Sequence, residues 1–171
     1  MTMDLDQLRI VHYPAKVLTR KADPVQEVDD TIRALVERMV DLMIEDRGVG
    51  LAAPQVGISL RLFIVSVDGT RDNARAYINP VIRPNGDLEV REEGCLSVPG
   101  IYTKIRRYKE CEVTALDLKG RQFTEQAQDL HARALQHEYD HIEGITIINR
   151  MGSAAKIAHR RQLKKLETAI L

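Results

Sequence analysis

The chain has 171 residues, a length that suits one domain able to bury a core without staples. Lys+Arg and Asp+Glu balance at 25 each, so bulk charge draws the protein neither to nucleic acid nor to a membrane surface. Trp is absent and aromatic residues make up 4% of the chain, which argues against a base-stacking nucleic-acid platform.

No apolar run approaches the roughly 20 residues of a membrane span, and "MTMDLDQLRI" lacks the basic-then-apolar layout of a signal peptide. Cys95 and Cys111 make no disulfide framework and no C-x-x-C pair. A reducing, cytoplasmic setting is expected, where a cysteine is buried, catalytic or metal-bound rather than bridged. No repeat, low-complexity tract or linker divides the sequence, so residues 1–171 read as a single domain.

In chain order, "DDTIRALVERMVDLMIEDRG" is the clearest helix. Ile32, Leu35, Val36, Met39 and Met43 recur at helical spacing, Asp29 or Asp30 can cap the start, and Gly48 can end it. "RLFIVSV" (61–67) is a β-branched apolar run before a "DG" turn and predicts a strand. "ARAYINPVI" (74–82) predicts another, with Pro80 favouring an edge or a strand end. Residues 111–128 predict two strands around a Lys119-Gly120 turn. "DLHARALQHEYDHIEG" then predicts a helix with Asp129 as cap and Gly144 as stop, and residues 154–171 a basic, weakly amphipathic helix. Helices toward both ends with strands between them predict an α+β domain.

Chemistry concentrates in "QHEYDHIEG" (136–144). Positions i and i+4 share a helix face, so the imidazoles of His137 and His141 can converge on one ion. Glu138 is placed to touch a water on that ion without ligating it, and so to take and return a proton. The plain alternative is a charged helix face with solvated histidines.

The third ligand separates the candidate mechanisms. The metzincin pattern needs a histidine at position 147, which is Ile147. The only glutamate after Glu143 is Glu167, in a lysine-rich segment where a solvated role is the plainer one. Upstream, "EEGCLSVPG" sets Cys95 in a loop-like context, and a thiolate with two imidazoles suits zinc or ferrous iron and leaves one position for water. Cys111, beside Val113 and Ala115 in an alternating pattern, reads as a small core residue. Arg133 lies one turn before His137 and reads as surface-exposed, with the edge of a substrate pocket as the alternative.

"GVGLAAPQVG" (48–57) superficially fits a dinucleotide fingerprint, but a helix precedes it and Pro54 stands where helix continuation is wanted, so phosphate binding is rejected. The glycines better serve close approach of backbone to a ligand. The amide of Gln55 is a neutral donor that can aim at developing negative charge, or else bond within its own turn.

Taken together, "GVGLAAPQ", "EGCLS" and "QHEYDH" resemble the three ordered motifs of the peptide deformylase family, and "IVHYPAKVLTRKADPV" resembles its N-terminal segment. Ile142 stands where leucine is commoner, and Tyr102 where some members carry an arginine that holds the peptide backbone. The resemblance implies hydrolytic release of formate from the formyl-methionine of new polypeptides by a metal-bound water. It implies mostly antiparallel β-sheets around a central metal-binding helix, with N-terminal and C-terminal helices. It further implies Cys95, His137 and His141 as ligands, Glu138 as general acid/base, Gln55 and the Leu96 N–H as oxyanion donors, and Gly50 as partner of the substrate backbone. One divalent metal is implied, physiologically ferrous iron, with zinc or nickel in preparations. No membrane and no specific nucleic-acid site are expected. The basic segment Lys156, Arg160, Arg161, Lys164 and Lys165 reads as a solvated helix face, with docking on the ribosome as the functional alternative. Two rivals remain: a zinc endopeptidase using Glu167, and a structural metal module with a closed four-ligand site.

Overall fold

In the computed structural model, which describes residues 4–169, helix α1 runs from Asp30 to Glu45. Asp29 caps it, its carboxylate accepting from the Ile32 N–H at 2.9 Å. The apolar stripe from Ile32 to Met43 is buried, as the spacing predicts. Gly48 is not the stop: Arg47 takes the left-handed turn at φ 56°. Gly48 serves packing instead, since a Cβ there would lie 2.9 Å from Leu96 Cδ1.

Five strands come next, β1 (Gly50–Ala52), β2 (Leu62–Val65), β3 (Arg75–Glu93), β4 (Thr103–Leu116) and β5 (Gln122–Gln128). They form one antiparallel sheet in the order β1-β2-β3-β4-β5. Along β2, Leu62 and Ile64 join the cluster under α1, while Phe63 and Val65 join the cluster on the opposite face. That explains its unbroken apolar sequence, because both faces of β2 are covered. β3 and β4 make a long hairpin with two register shifts, at Asn79–Pro80 and at Gly86–Asp87. Asn79 (φ 48°) and Gly86 (φ 75°) take the left-handed backbone these bulges use. Pro80 thus sits at a bulge within β3 rather than at its end. The hairpin is closed by residues 94–102, the loop that carries Cys95.

Helix α2 (Asp129–Ile142) starts directly after β5. Asp129 does not cap it; its side chain makes no capping bond, and its φ of 50° instead turns the chain sharply from strand to helix. Gly144 does end the segment, at φ 75°. α2 packs against all five strands and buries residues around nearly its whole circumference. A short helix α3 (Ile147–Arg150) and the helix α4 (Ser153–Thr168) complete the chain. The layers are therefore α1, sheet and α2, the α+β arrangement read from the sequence, with a single sheet among the described residues. Among the described residues, no helix is long and apolar enough to cross a membrane.

A third apolar cluster lies beneath the Cys95 loop. Val98 and Ile101 of the loop are buried with Ile105, Ile147 and Met151, and Ala155, Leu163 and Leu166 of α4 pack against them.

Candidate metal centre and active site

α2 presents His137 and His141 on one face, ring centroids 5.1 Å apart. The hairpin loop delivers Cys95 to them, with Sγ 3.3 Å from His141 Nε2, and the three ligand atoms all lie within 4.8 Å of one another. A four-coordinate ion with bonds of about 2.0–2.3 Å spaces its ligand atoms about 3.5 Å apart, so this donor set fits one. Among the described residues, no fourth His, Cys or carboxylate joins the group. Glu167 lies elsewhere: on α4 it accepts from the Tyr13 hydroxyl at 2.9 Å. Ile147 is buried in the cluster beneath the loop. Both observations remove the basis for a peptidase built on a downstream ligand.

His137 is oriented from behind. Its Nδ1 is 2.9 Å from Glu93, which leaves Nε2 for the site. Glu93 is itself gripped by Arg107 through Nε (2.6 Å) and Nη2 (3.0 Å), and by Arg133 Nη1 (2.7 Å). Arg107 also donates to Asp140 (2.8 Å), which Arg150 holds through two further bonds. Burial alone would raise the Glu93 carboxyl, but the bonds from His137 and Arg107 outweigh it and hold it well below the usual carboxylate range. Arg133 is therefore buried at 7% exposure, not on the surface, because it faces a buried carboxylate. Burial also disfavours charge on His137, yet its bonds to Cys95 and Glu93 outweigh that and raise it. Burial and the neighbouring His137 lower His141, which leaves a neutral ring with a lone pair to offer.

Glu138 is buried, with Oε2 lacking a partner among the described residues. Burial raises its carboxyl to about 7, with Glu93 and Asp140 adding to the rise and His137 and Arg107 opposing it. Gly50 lies against it: a Cβ there would come within 2.5 Å of Glu138 Oε1. The missing side chain thus makes room for the Glu138 carboxylate.

Gln55 sits in the 3-10 turn Ala53–Val56 and is buried. Its Oε1 accepts from the Ala52 N–H (2.9 Å), which turns Nε2 toward Ser97 Oγ (3.3 Å) and Cys95 Sγ (3.6 Å). The bond within its own turn is what aims the donor at the thiolate. The bond within its own turn is thus present, and it leaves the second donor facing the site. Cys111 is fully buried in β4, its thiol pushed up to about 12 by burial and by Glu125.

These groups open onto a cavity of about 690 Å³, lined by Gly48–Gly50, Gln55, residues 92–96, the loop through Tyr102, and Leu130, Arg133, Ala134, His137 and Glu138 of α2. The volume is in the range of small-ligand sites. Sequence reasoning passed over Glu93, Arg107 and Asp140. Arg107 of β4 and Arg133 of α2 are both buried, and a buried guanidinium demands a carboxylate, but that burial leaves no mark in the sequence.

A donor set of one thiolate and two imidazoles, with a buried carboxylate beside it in a ligand-sized cleft, defines a metal-dependent hydrolase. The family model described as Polypeptide deformylase matches residues 7–156. The peptide deformylase of Neisseria gonorrhoeae is 42% identical over 158 residues, covering 92% of this chain and 95% of that one. A peptide deformylase structure from Plasmodium falciparum superposes with a TM-score of 0.91 at 34% identity, covering 94% of this chain and 96% of that one. One from Legionella pneumophila gives 0.88 at 36%, covering 95% and 97%. The chain belongs to the peptide deformylase family, metalloenzymes that hydrolyse the N-formyl group from the formyl-methionine of nascent peptides.

Proposed function

We propose that residues 1–171 form one catalytic domain in which Cys95, His137 and His141 hold a single divalent cation, ferrous iron in the cell and replaceable by zinc or nickel. The observation that carries this reading is the approach of Cys95 Sγ to the two imidazoles. A cation held there supplies Lewis acidity, acidifying water and polarising the formyl carbonyl.

The chain's own groups do the rest. Glu138 takes a proton from the attacking water and returns it to the departing amine nitrogen, a role its carboxyl at about 7 suits near neutrality. The Gln55 amide and the Leu96 N–H donate to the carbonyl oxygen as it gains charge, each worth about 3 kcal/mol in the barrier. The Leu96 N–H finds no acceptor among the described residues, which leaves it available. Gly50 lies on β1, the first strand of the sheet, whose outer edge can pair with an extended substrate backbone. Formyl is preferred over acetyl because the carbonyl carbon carries only hydrogen, so no methyl must fit between Gln55, Leu96 and the ligands.

The test is formate release from a formyl-Met peptide, with acetyl-Met as control and metal analysis alongside. Glu138→Ala keeps the metal and loses at least about a hundredfold in turnover; a near-normal rate removes Glu138 from the mechanism. Ferrous preparations lose activity in air, while nickel or zinc forms keep it, because a thiolate on ferrous iron invites oxidation.

The setting is the cytoplasm, in keeping with two unpaired thiols. α4 exposes Lys156, Arg160, Arg161, Lys164 and Lys165, a surface suited to docking on ribosomal RNA or acidic protein near emerging chains. Removing α4 would strip Leu163 and Leu166 from beneath the Cys95 loop. Charge reversal at Arg160, Arg161, Lys164 and Lys165 is the cleaner variant. Its co-sedimentation with ribosomes at two salt concentrations falls relative to wild type; unchanged binding dismisses the helix.

A further inference from the structure

One face of the long β3–β4 hairpin is left to solvent. The odd-numbered side chains of β4 from Thr103 to Ala115 are buried, Lys109 excepted. The even-numbered ones face the other way, and the cluster under α1 takes in only Leu116 of them. On that side Leu88 and Tyr108 lie opposite each other across the hairpin, with Val81 and Val90 in line along β3. All four are between 40% and 55% exposed. Apolar side chains grouped on a solvated sheet face mark an interaction surface.

The charges around them are ordered rather than mixed. Along β4 the outward side chains read Lys104, Arg106, Tyr108, Glu110 and Glu112, cations at one end and anions at the other. Across the hairpin, Glu92 stands beside Lys104 and Arg83 beside Glu112. Lys104, Arg106, Glu92 and Glu110 are exposed, and among the described residues they make no ion pair. Arg83 lies 3.4 Å from Glu112, with its side chain still 79% exposed. A twofold axis in the plane of the face, crossing the strands at the Leu88–Tyr108 pair, maps this pattern onto its opposite. It sets Lys104 and Arg106 against Glu112 and Glu110 of a second copy, and Arg83 against that copy's Glu92. Leu88 and Tyr108 then meet their own equivalents at the centre. Twofold interfaces require such self-complementarity, and packed sheets keep their strands within about 30° of each other, so the charged ends stay within reach.

We propose that this hairpin face is a self-association surface, on which a second copy of the chain docks face to face with its hairpin antiparallel. The occupant is a second copy rather than another protein because the charge order is complemented by its own reversal. Lys104 to Glu112 spans about 27 Å of strand. That is a small patch beside an obligate interface, so the dimer is reversible and concentration-dependent.

Sedimentation velocity of the metal-loaded protein tests this, from about 5 to about 500 µM at low and high salt. Wild type passes from monomer to dimer across that range, and about 0.5 M salt raises its dissociation constant roughly tenfold. Arg106→Glu alone and Glu110→Lys alone each raise the constant at least about tenfold, because each sets like charges together. Both positions are exposed and unpaired, so neither change threatens the fold, and Tm confirms it for each variant. Mixed in equal amounts, the two variants form a heterodimer as tight as the wild-type dimer, since every end again meets its opposite. Leu88→Asp, at the axis, weakens the dimer without altering the ordered ends. Wild type that stays monomeric throughout overturns the proposal, as does a mixture that pairs no better than either variant alone. A Leu88→Asp protein that dimerises like wild type overturns it too, by placing the contact elsewhere.

Discussion

Glu93 stands behind His137, its carboxylate 2.9 Å from Nδ1 while both Arg107 and Arg133 grip the same group. The ring, whose Nε2 is left facing the site, is therefore fixed by a carboxylate that has no freedom of its own. Each of these side chains is at most 12% exposed, so the bonds are not diluted by solvent.

Loss of that support is expected to weaken metal binding without touching a ligand. Glu93→Gln lowers metal affinity about 10- to 100-fold, measured by competition with a chromophoric chelator. The same carboxylate has a folded-state pKa below its ordinary 4.5, so it stabilises the fold above that pH and the benefit fades as pH falls through the folded value. Between pH 4.5 and 2 the urea stability of wild type therefore falls more steeply than that of Glu93→Gln; parallel curves would remove Glu93 from the acid response.

Glu138 has the opposite sign. Its folded-state value of about 7 lies above the ordinary 4.5, so the folded chain binds this proton more tightly than the unfolded one. The corresponding stability is fully present below pH 4.5 and is lost as pH rises through 7, an amount of roughly 3 kcal/mol. Urea titrations of the metal-free protein at pH 5 and pH 8 show this loss in wild type and not in Glu138→Gln. Identical pH dependence in the two proteins would refute it.

The two thiols differ in reach. Cys95 is partly exposed and Cys111 fully buried, its thiol pushed up to about 12. A disulfide reagent at pH 8 modifies one thiol in the metal-free folded protein, none in the metal-loaded protein and two after denaturation. Rapid labelling of Cys111 in the folded state would contradict its place in the core.

Gly144 ends the ligand helix at φ 75°, and a Cβ there would meet the backbone of Arg20 at 2.8–3.0 Å. Neither the dihedral nor that backbone can give way cheaply. Gly144→Ala is expected to lower stability by about 2 kcal/mol or more, read from urea midpoints; a change below about 0.5 kcal/mol would show that the segment relaxes easily.

The cluster of Cys95, His137 and His141 was legible because His137 and His141 are spaced to share a helix face and Cys95 lies in a turn-rich segment. Their support was not. Glu93 is the last residue of a 19-residue strand whose outer half is largely exposed on both faces, so no alternation marks its end. Arg133 reads as surface in isolation, and only the contact between α2 and the end of β3 reveals the carboxylate that neutralises it. β1 escaped notice because three buried residues, Gly50 to Ala52, are too few to display a period. Asp129 has the composition of a cap but is spent on the strand-to-helix corner. Local chemistry was readable, whereas partnerships across the hairpin required the fold.

The packing of Leu163 and Leu166 against the cluster that holds Val98 and Ile101 joins α4 to the loop that carries Cys95. Ile105, Ile147 and Met151 form the buried floor of the cysteine loop, and the two leucines of α4 brace that floor from outside. A displacement of α4 is therefore passed through Val98 and Ile101 to the loop, so this helix bears on the site without contributing a residue to it.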